Sequence, residues 1–253
     1  PNPEGEPIWL EDGVLAMEPE PQTAAPVRVA YAAAHLILEE SYRDCSTSSD
    51  ASEHVDWKQT MAFRQHLAEH GFGIAEAMDT AQRFELGWPA ARRLIEECGS
   101  LQLETGFIAG AGADQCDDVS DMKTLIDAVV EQVGIIQQAG GIAIILPMPW
   151  LCHWGCAEEQ FISTYRCIFE QCEGPLFIHW LGPMFLAELE GYFPGSSLQK
   201  ILEIDPDKVR GVKMSMLDHE LELDVRRGCR ERGQMVLTGD DLHFCGLIEG
   251  DGQ

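Results

Sequence analysis

Seven short apolar runs alternating with segments of helical periodicity limit this chain to very few folds. The runs are Val27 to Ala34, Phe72 to Ala77, Thr105 to Ala109, Ile142 to Leu146, Leu176 to Trp180, Val209 to Ser215 and Met235 to Thr238. Near-continuous apolar runs of this length suit strands covered on both faces, as in a parallel sheet. The segments between them read as helices. Asp56 to His70 carries Trp57, Met61 and Leu67 and stops at Gly71, while Trp88-Pro89 opens a helix closed by Gly99. Ser120 to Ala139 has a wide apolar stripe, with Ser120 placed to cap it and Gly140-Gly141 to end it. Glu158 to Cys172 repeats the pattern. Strand and helix in alternation predict right-handed βαβ units.

A chain of 253 residues that is 45% hydrophobic can build one large core. The expected architecture is an α/β fold, a TIM (β/α)8-type barrel. An eighth strand is due after Asp241 and is not evident before Gln253, so the expectation is a barrel lacking its eighth strand and C-terminal helices. A doubly wound open sheet competes, but no Gly-x-Gly-x-x-Gly follows the first run, and Gly106 to Gly112 holds only a loose glycine cluster. Ahead of the barrel, Ile8-Trp9-Leu10 and Val14 to Met17 flank Glu11-Asp12-Gly13, a hairpin signal. The division is therefore an N-terminal hairpin appendage over 1–26 and a barrel domain over 27–253.

Charge removes whole classes of partner. With 17 Lys+Arg against 43 Asp+Glu, the formal net charge is −26, which argues against nucleic acid and against acidic membranes. No apolar run reaches the roughly 18 residues of a spanning helix, and Pro1-Asn2-Pro3-Glu4 lacks the basic start of a signal peptide. Nine cysteines without a repeated Cys-x-x-Cys pair read as reduced thiols, hence a cytoplasmic protein. Cys152-His153 with Cys156, completed by Cys167 or Cys172, is the nearest approach to a zinc set; core or surface thiols are the preferred reading.

In a parallel barrel the functional rim is the C-terminal end of the strands. The ionisable and polar groups there are His35, Glu76 with Asp79 and Thr80, Asp114, His179, Lys213 with Ser215, and Thr238 with Asp240 and Asp241. Lys213 stands out. Period-two alternation puts it on one face with Gly211 and Ser215, opposite Val212 and Met214, so apolar contact with the helices turns the lysine inward. Burial disfavours the ammonium and promotes the free amine that an imine-forming nucleophile needs. The competing reading is a lysine paired with Asp240 or Asp241 for architecture alone. His179 shares the inward parity and is suited to proton transfer near neutral pH, or to a place in the core. Trp150 and Trp180, at strand ends, are candidates to line a pocket or to pack.

Gly211-Val212-Lys213 followed by Val236 to Asp241 resembles the lysine strand and next strand of the dihydrodipicolinate synthase and N-acetylneuraminate lyase superfamily. Ala75 to Arg83, Ile178 to Gly182 and Lys213 to Asp218 more closely resemble an uncharacterised bacterial branch of it, over a match from about Val27 onward. The resemblance implies a class I lyase or aldolase. Lys213 forms an imine with an α-keto acid or related small carbonyl compound, His179 stands where known members carry a proton-relaying tyrosine, and no cofactor is needed. Ala77 to Gln82 replaces the family's carboxylate-holding Gly-Thr-Thr-Gly-Glu loop, so the implied substrate contacts are Asp79 and Thr80, with Ser215, Thr238, Asp240, Asp241 and Trp180. Homo-oligomers are also implied. An acidic Asp79 repels a substrate carboxylate unless it is protonated or metal-bound. A second reading is therefore a divalent-metal lyase or hydrolase using His35, Glu76, Asp79, His179 and Asp240, and a third is a non-catalytic ligand-binding barrel.

Overall fold

Helix boundaries follow the capping chemistry of the sequence closely. In the computed structural model, which describes residues 30–44, 48–78, 81–240, 242 and 244, α1 runs Trp57–Glu69 behind Asp56, whose carboxylate accepts from Gln59 N–H. Next come the short α2, Arg83–Leu86, and α3, Trp88–Ser100, with proline in its first turn. α4, Met122–Gln138, is capped by Asp121 rather than by the expected Ser120, the carboxylate accepting from Thr124 N–H. α5 (Pro149–His153), α6 (Glu158–Gln171), α7 (Ser197–Leu202) and α8 (His219–Glu231) complete the series. The expected N-terminal hairpin lies outside the described residues. No helix among them is long and apolar enough to cross a membrane.

The strands are β1 (Tyr31–Ala33), β2 (Gly73–Glu76), β3 (Phe107–Ala111), β4 (Ile142–Ile145), β5 (Leu176–Leu181), β6 (Val209–Ser215) and β7 (Met235–Thr238). They form one parallel sheet in strictly sequential order, β1 to β7. A doubly wound sheet would reverse its order at a switch point; this one curls in one direction as an incomplete (β/α) barrel. Among the described residues no eighth strand joins it.

Two apolar clusters separate the faces of the sheet. Ile74, Ala109, Ile145, Ile178, Val212 and Met214 pack outward against helical Leu94, Leu125, Val129, Phe161 and Ile168. Ala75, Met78, Ile108, Ile144, Leu146 and Phe177 form the inner cluster, with Leu237 beside it. Side chains alternate between the two, as pleating requires. β6 keeps this phase through an irregularity opposite Leu176 and Phe177, where Leu176 pairs with Val209 but Phe177 with Gly211, leaving Arg210 as an exposed extra residue.

Gly211 is where the chain has least freedom. Its φ is +148°, and a Cβ there would stand 1.8 Å from the Met235 carbonyl oxygen. Gly211→Ala should therefore part β6 from β7, and the unfolding free energy is expected to fall by on the order of 3 kcal/mol, read as a lowered urea midpoint. An unchanged midpoint would mean that β7 moves aside without cost.

Candidate functional site

β5 and β6 lie side by side with His179 opposite Lys213, and β7 places Leu237 on the other flank of Lys213. Because Val212 and Met214 belong to the outer cluster while Phe177 and Leu237 border the inner one, His179 and Lys213 both face the barrel interior. Lys213 is half-buried; His179 is 2% exposed. Ser215, 4% exposed, completes the group, with its hydroxyl 3.2 Å from His179 Nε2. His179 Nδ1 is buried with no hydrogen-bond partner among the described residues. Burial first, and then the charge of Lys213, hold the His179 imidazole well below the usual histidine range. It is thus a neutral base at neutral pH.

Gly239 closes this site and was not singled out from sequence. A Cβ there would lie 2.4 Å from Ser215 Oγ and 3.1 Å from Lys213 Cε, so only glycine lets β7 and its loop press on the lysine stem. Its backbone N–H donates to the Met214 carbonyl at 2.7 Å. The sequence signal was present in Thr238-Gly239-Asp240, but what it packs against is visible only in three dimensions.

Several expected residues do other work. Trp180 points away from Lys213 and packs edge-on against Phe193 in the outer layer, ring centres 5.6 Å apart, as its parity relative to His179 requires. Thr238, the register partner of outward Met214, faces α8 and hydrogen-bonds Glu222. Asp240 is buried and accepts from Leu242 N–H at 2.6 Å, tying down the turn after β7. Asp79, Thr80 and Asp241 lie outside the described residues. Of the set proposed for a metal, Glu76 turns outward into a fully buried ion pair with Arg64, and His35 is exposed, its carbonyl accepting from the same arginine. Among the described residues no group of three or more His, Cys, Asp or Glu side chains is placed to hold a metal, the Cys152 to Cys172 segment included.

Glu222, on the first turn of α8, is a further buried carboxyl that the sequence reading missed. Burial pushes it up to about 7; a hydrogen bond from Thr238 opposes this, the charge of Asp240 adds to it and Arg226 opposes it. Folded Glu222 therefore binds its proton more tightly than the unfolded chain does. Its cost to stability is absent below the ordinary carboxylate pKa and fully present above pH 7. Glu222→Gln should raise the unfolding free energy by on the order of 2 kcal/mol at pH 8 and leave it unchanged at pH 4. Equal effects at both pH values would contradict the assignment.

At the neighbouring strand ends lies a second polar network. Arg83, fully buried, donates to both oxygens of Asp114, at 2.7 and 3.0 Å, and to the carbonyls of Ala77 and Gly110. Gln132 on α4 donates to Asp114 Oδ1 and accepts from Gly112 N–H. Burial alone would raise the Asp114 carboxyl, but the hydrogen bonds and charge of Arg83, with Gln132, outweigh it and hold it below the usual range. A groove of about 650 Å³ opens at the other end of the strands, between the ends of α3 and α4, and contains none of these groups.

Comparison with known proteins agrees with this architecture. A family model described as "Protein of unknown function (DUF993)" matches residues 10–253. No curated protein matches the sequence. Among solved structures, the chain is similar to a candidate dihydrodipicolinate synthetase from Pseudomonas aeruginosa at 17% identity and a TM-score of 0.58, over 84% of this chain and 64% of the other. It is similar to dihydrodipicolinate synthase from Oceanobacillus iheyensis (15%, TM-score 0.52, 82% of this chain and 66% of that). The same enzyme from Rhodopseudomonas palustris gives 14%, 0.53, 83% and 65%. At these identities the likeness establishes the shared barrel fold. The chain spans slightly less than two thirds of the length of these structures.

Proposed function

The chain belongs to the DUF993 family, proteins of unknown function, and we propose that it is a Schiff-base lyase or aldolase that engages a small carbonyl compound, an α-keto acid or a related aldehyde or ketone, through Lys213. One observation carries this reading: an inward lysine stands directly opposite a buried, neutral histidine on the adjacent strand. The Lys213 amine adds to the carbonyl carbon, the carbonyl π electrons pass to oxygen, and loss of one water leaves the imine. The imine then accepts the electron pair released when a bond at the neighbouring carbon breaks.

His179 is suited to move the proton in that step. Its Nε2 is engaged by Ser215, so Nδ1 is the nitrogen left to meet the substrate. Taking a proton from the α-carbon converts the imine to an enamine and the imidazole to imidazolium, and the reverse step restores both. The barrel shared with dihydrodipicolinate synthases supports placing this chemistry at the strand C-termini. Free thiols at the seven described cysteines fit a reducing compartment such as the cytoplasm.

Exchange of α-hydrogens with D2O tests the reading without knowledge of the natural substrate. The protein should catalyse exchange into at least one compound of a panel of aldehydes, ketones and keto acids, followed by NMR. His179→Phe should slow it by about 10²- to 10⁴-fold. Because the His179 base form persists well below pH 6.5, the wild-type rate should not fall by loss of this base between pH 8 and 6.5. Absence of exchange across the panel, or exchange indifferent to His179, would refute the assignment.

A further inference from the structure

The Arg83 network borders the Lys213 chamber. Leu146 belongs to the inner cluster, donates its N–H to the Ala111 carbonyl and follows the Ile145–Ile178 pair by one residue, which sets it beside His179. The point where a Gly112 Cβ would sit is 3.6 Å from Leu146 Cδ1, 3.3 Å from Asp114 Oδ1 and 3.9 Å from an Arg83 nitrogen. Gly112, Leu146, His179 and Lys213 thus occupy one level on four successive strands, and the Asp114 carboxylate stands over the first of them. Three interstrand steps of about 4.8 Å separate Gly112 from Lys213 along the wall. The wall curves, so the direct path is shorter and suits a compound of about three to six carbons.

The carboxylate is built to receive a ligand. Among the described residues, Oδ1 accepts from the side chains of Arg83 and Gln132 and Oδ2 from Arg83 alone of the side chains, the carboxylate also accepts from its own backbone N–H, and the side chain keeps 19% of its surface exposed while Arg83 keeps none. An ionised carboxylate accepts hydrogen bonds from hydroxyl or amine groups and repels a second carboxylate. His179 Nδ1, buried without a partner among the described residues, is an independent sign that the chamber is completed by a polar ligand.

Resting on the Lys213 reading, we propose that Asp114 is a specificity-determining residue, and that the substrate is a small carbonyl compound bearing a hydroxyl or amino group distal to the imine carbon rather than a simple keto acid. Arg83 and Gln132 position Asp114; they do not themselves meet the substrate.

The test is reductive trapping with cyanoborohydride, the fraction of protein modified at Lys213 being read by peptide mass spectrometry against the concentration of propanal, glyceraldehyde or pyruvate. Half-saturation with glyceraldehyde is expected at a concentration at least about tenfold below that for propanal or pyruvate. Asp114→Asn keeps the size and one acceptor for Arg83, and should narrow the glyceraldehyde-to-propanal preference to within about twofold. Should that variant fail to fold, Gly112→Ala, which inserts a methyl between the carboxylate and the chamber, is expected to narrow the same ratio. Pyruvate as the preferred partner, or a preference that neither variant alters, would overturn the role of Asp114 and leave Lys213 standing. No adduct at Lys213 with any of the three would overturn the imine reading and this proposal with it.

Discussion

Lys213→Met is expected to reduce α-hydrogen exchange to the uncatalysed rate, a loss of at least about 10⁴-fold, with no comparable loss of stability. Methionine has nearly the length of the lysine stem and fills the space that Gly239 leaves beside Cε. The amine alone is removed. The combination of lost exchange and a retained thermal midpoint separates chemistry from structure. Parallel loss of both would indicate that Lys213 is an architectural residue. Loss of neither would place the reaction elsewhere.

The second large effect concerns stability. Arg64→Met is expected to cost about 3–5 kcal/mol in unfolding free energy. Arg64 and Glu76 are both fully buried and are joined by two hydrogen bonds, at 2.8 and 2.9 Å. The guanidinium also donates to the carbonyls of Ala34, His35 and Thr60, so one side chain links the end of β1 to α1 and β2. Removing it leaves the buried Glu76 carboxylate without its cation, held by the Ala77 N–H, and takes a side-chain donor from three carbonyls, of which that of Thr60 keeps its bond within α1. The double variant Arg64→Met, Glu76→Gln should recover a substantial part of the loss, because the stranded charge is then gone. Denaturant titration of the two variants measures this, and a double variant no more stable than the single one would contradict it.

These residues show how far the sequence could be read. The strands were legible because a sheet covered on both faces demands apolar runs, and all seven runs correspond to observed strands. The inward direction of Lys213 was legible by parity, since Val212 and Met214 could satisfy only the outer face. The same parity turns Trp180 outward, against its expected place among the substrate contacts, for a residue adjacent to inward His179 faces the helices. Glu76 illustrates a different limit. An acidic residue at a strand end looks catalytic until its partner is known, and Arg64 is twelve residues away on a helix face with no local signal. Arg83 and Asp114 are 31 residues apart, and Glu222 meets Thr238 only because α8 folds back onto β7. Pairings of that kind depend on tertiary geometry, which no periodicity encodes.

Which lysine nitrogen reacts with a carbonyl compound decides whether Lys213 is the nucleophile. Wild-type protein reduced with borohydride in the presence of a small carbonyl compound, digested and mapped by mass spectrometry, should carry the adduct on the peptide containing Lys213, at a stoichiometry approaching one per chain. Modification spread evenly over Lys58, Lys123, Lys200 and Lys208, or a Lys213 peptide left unmodified while others react, would contradict it.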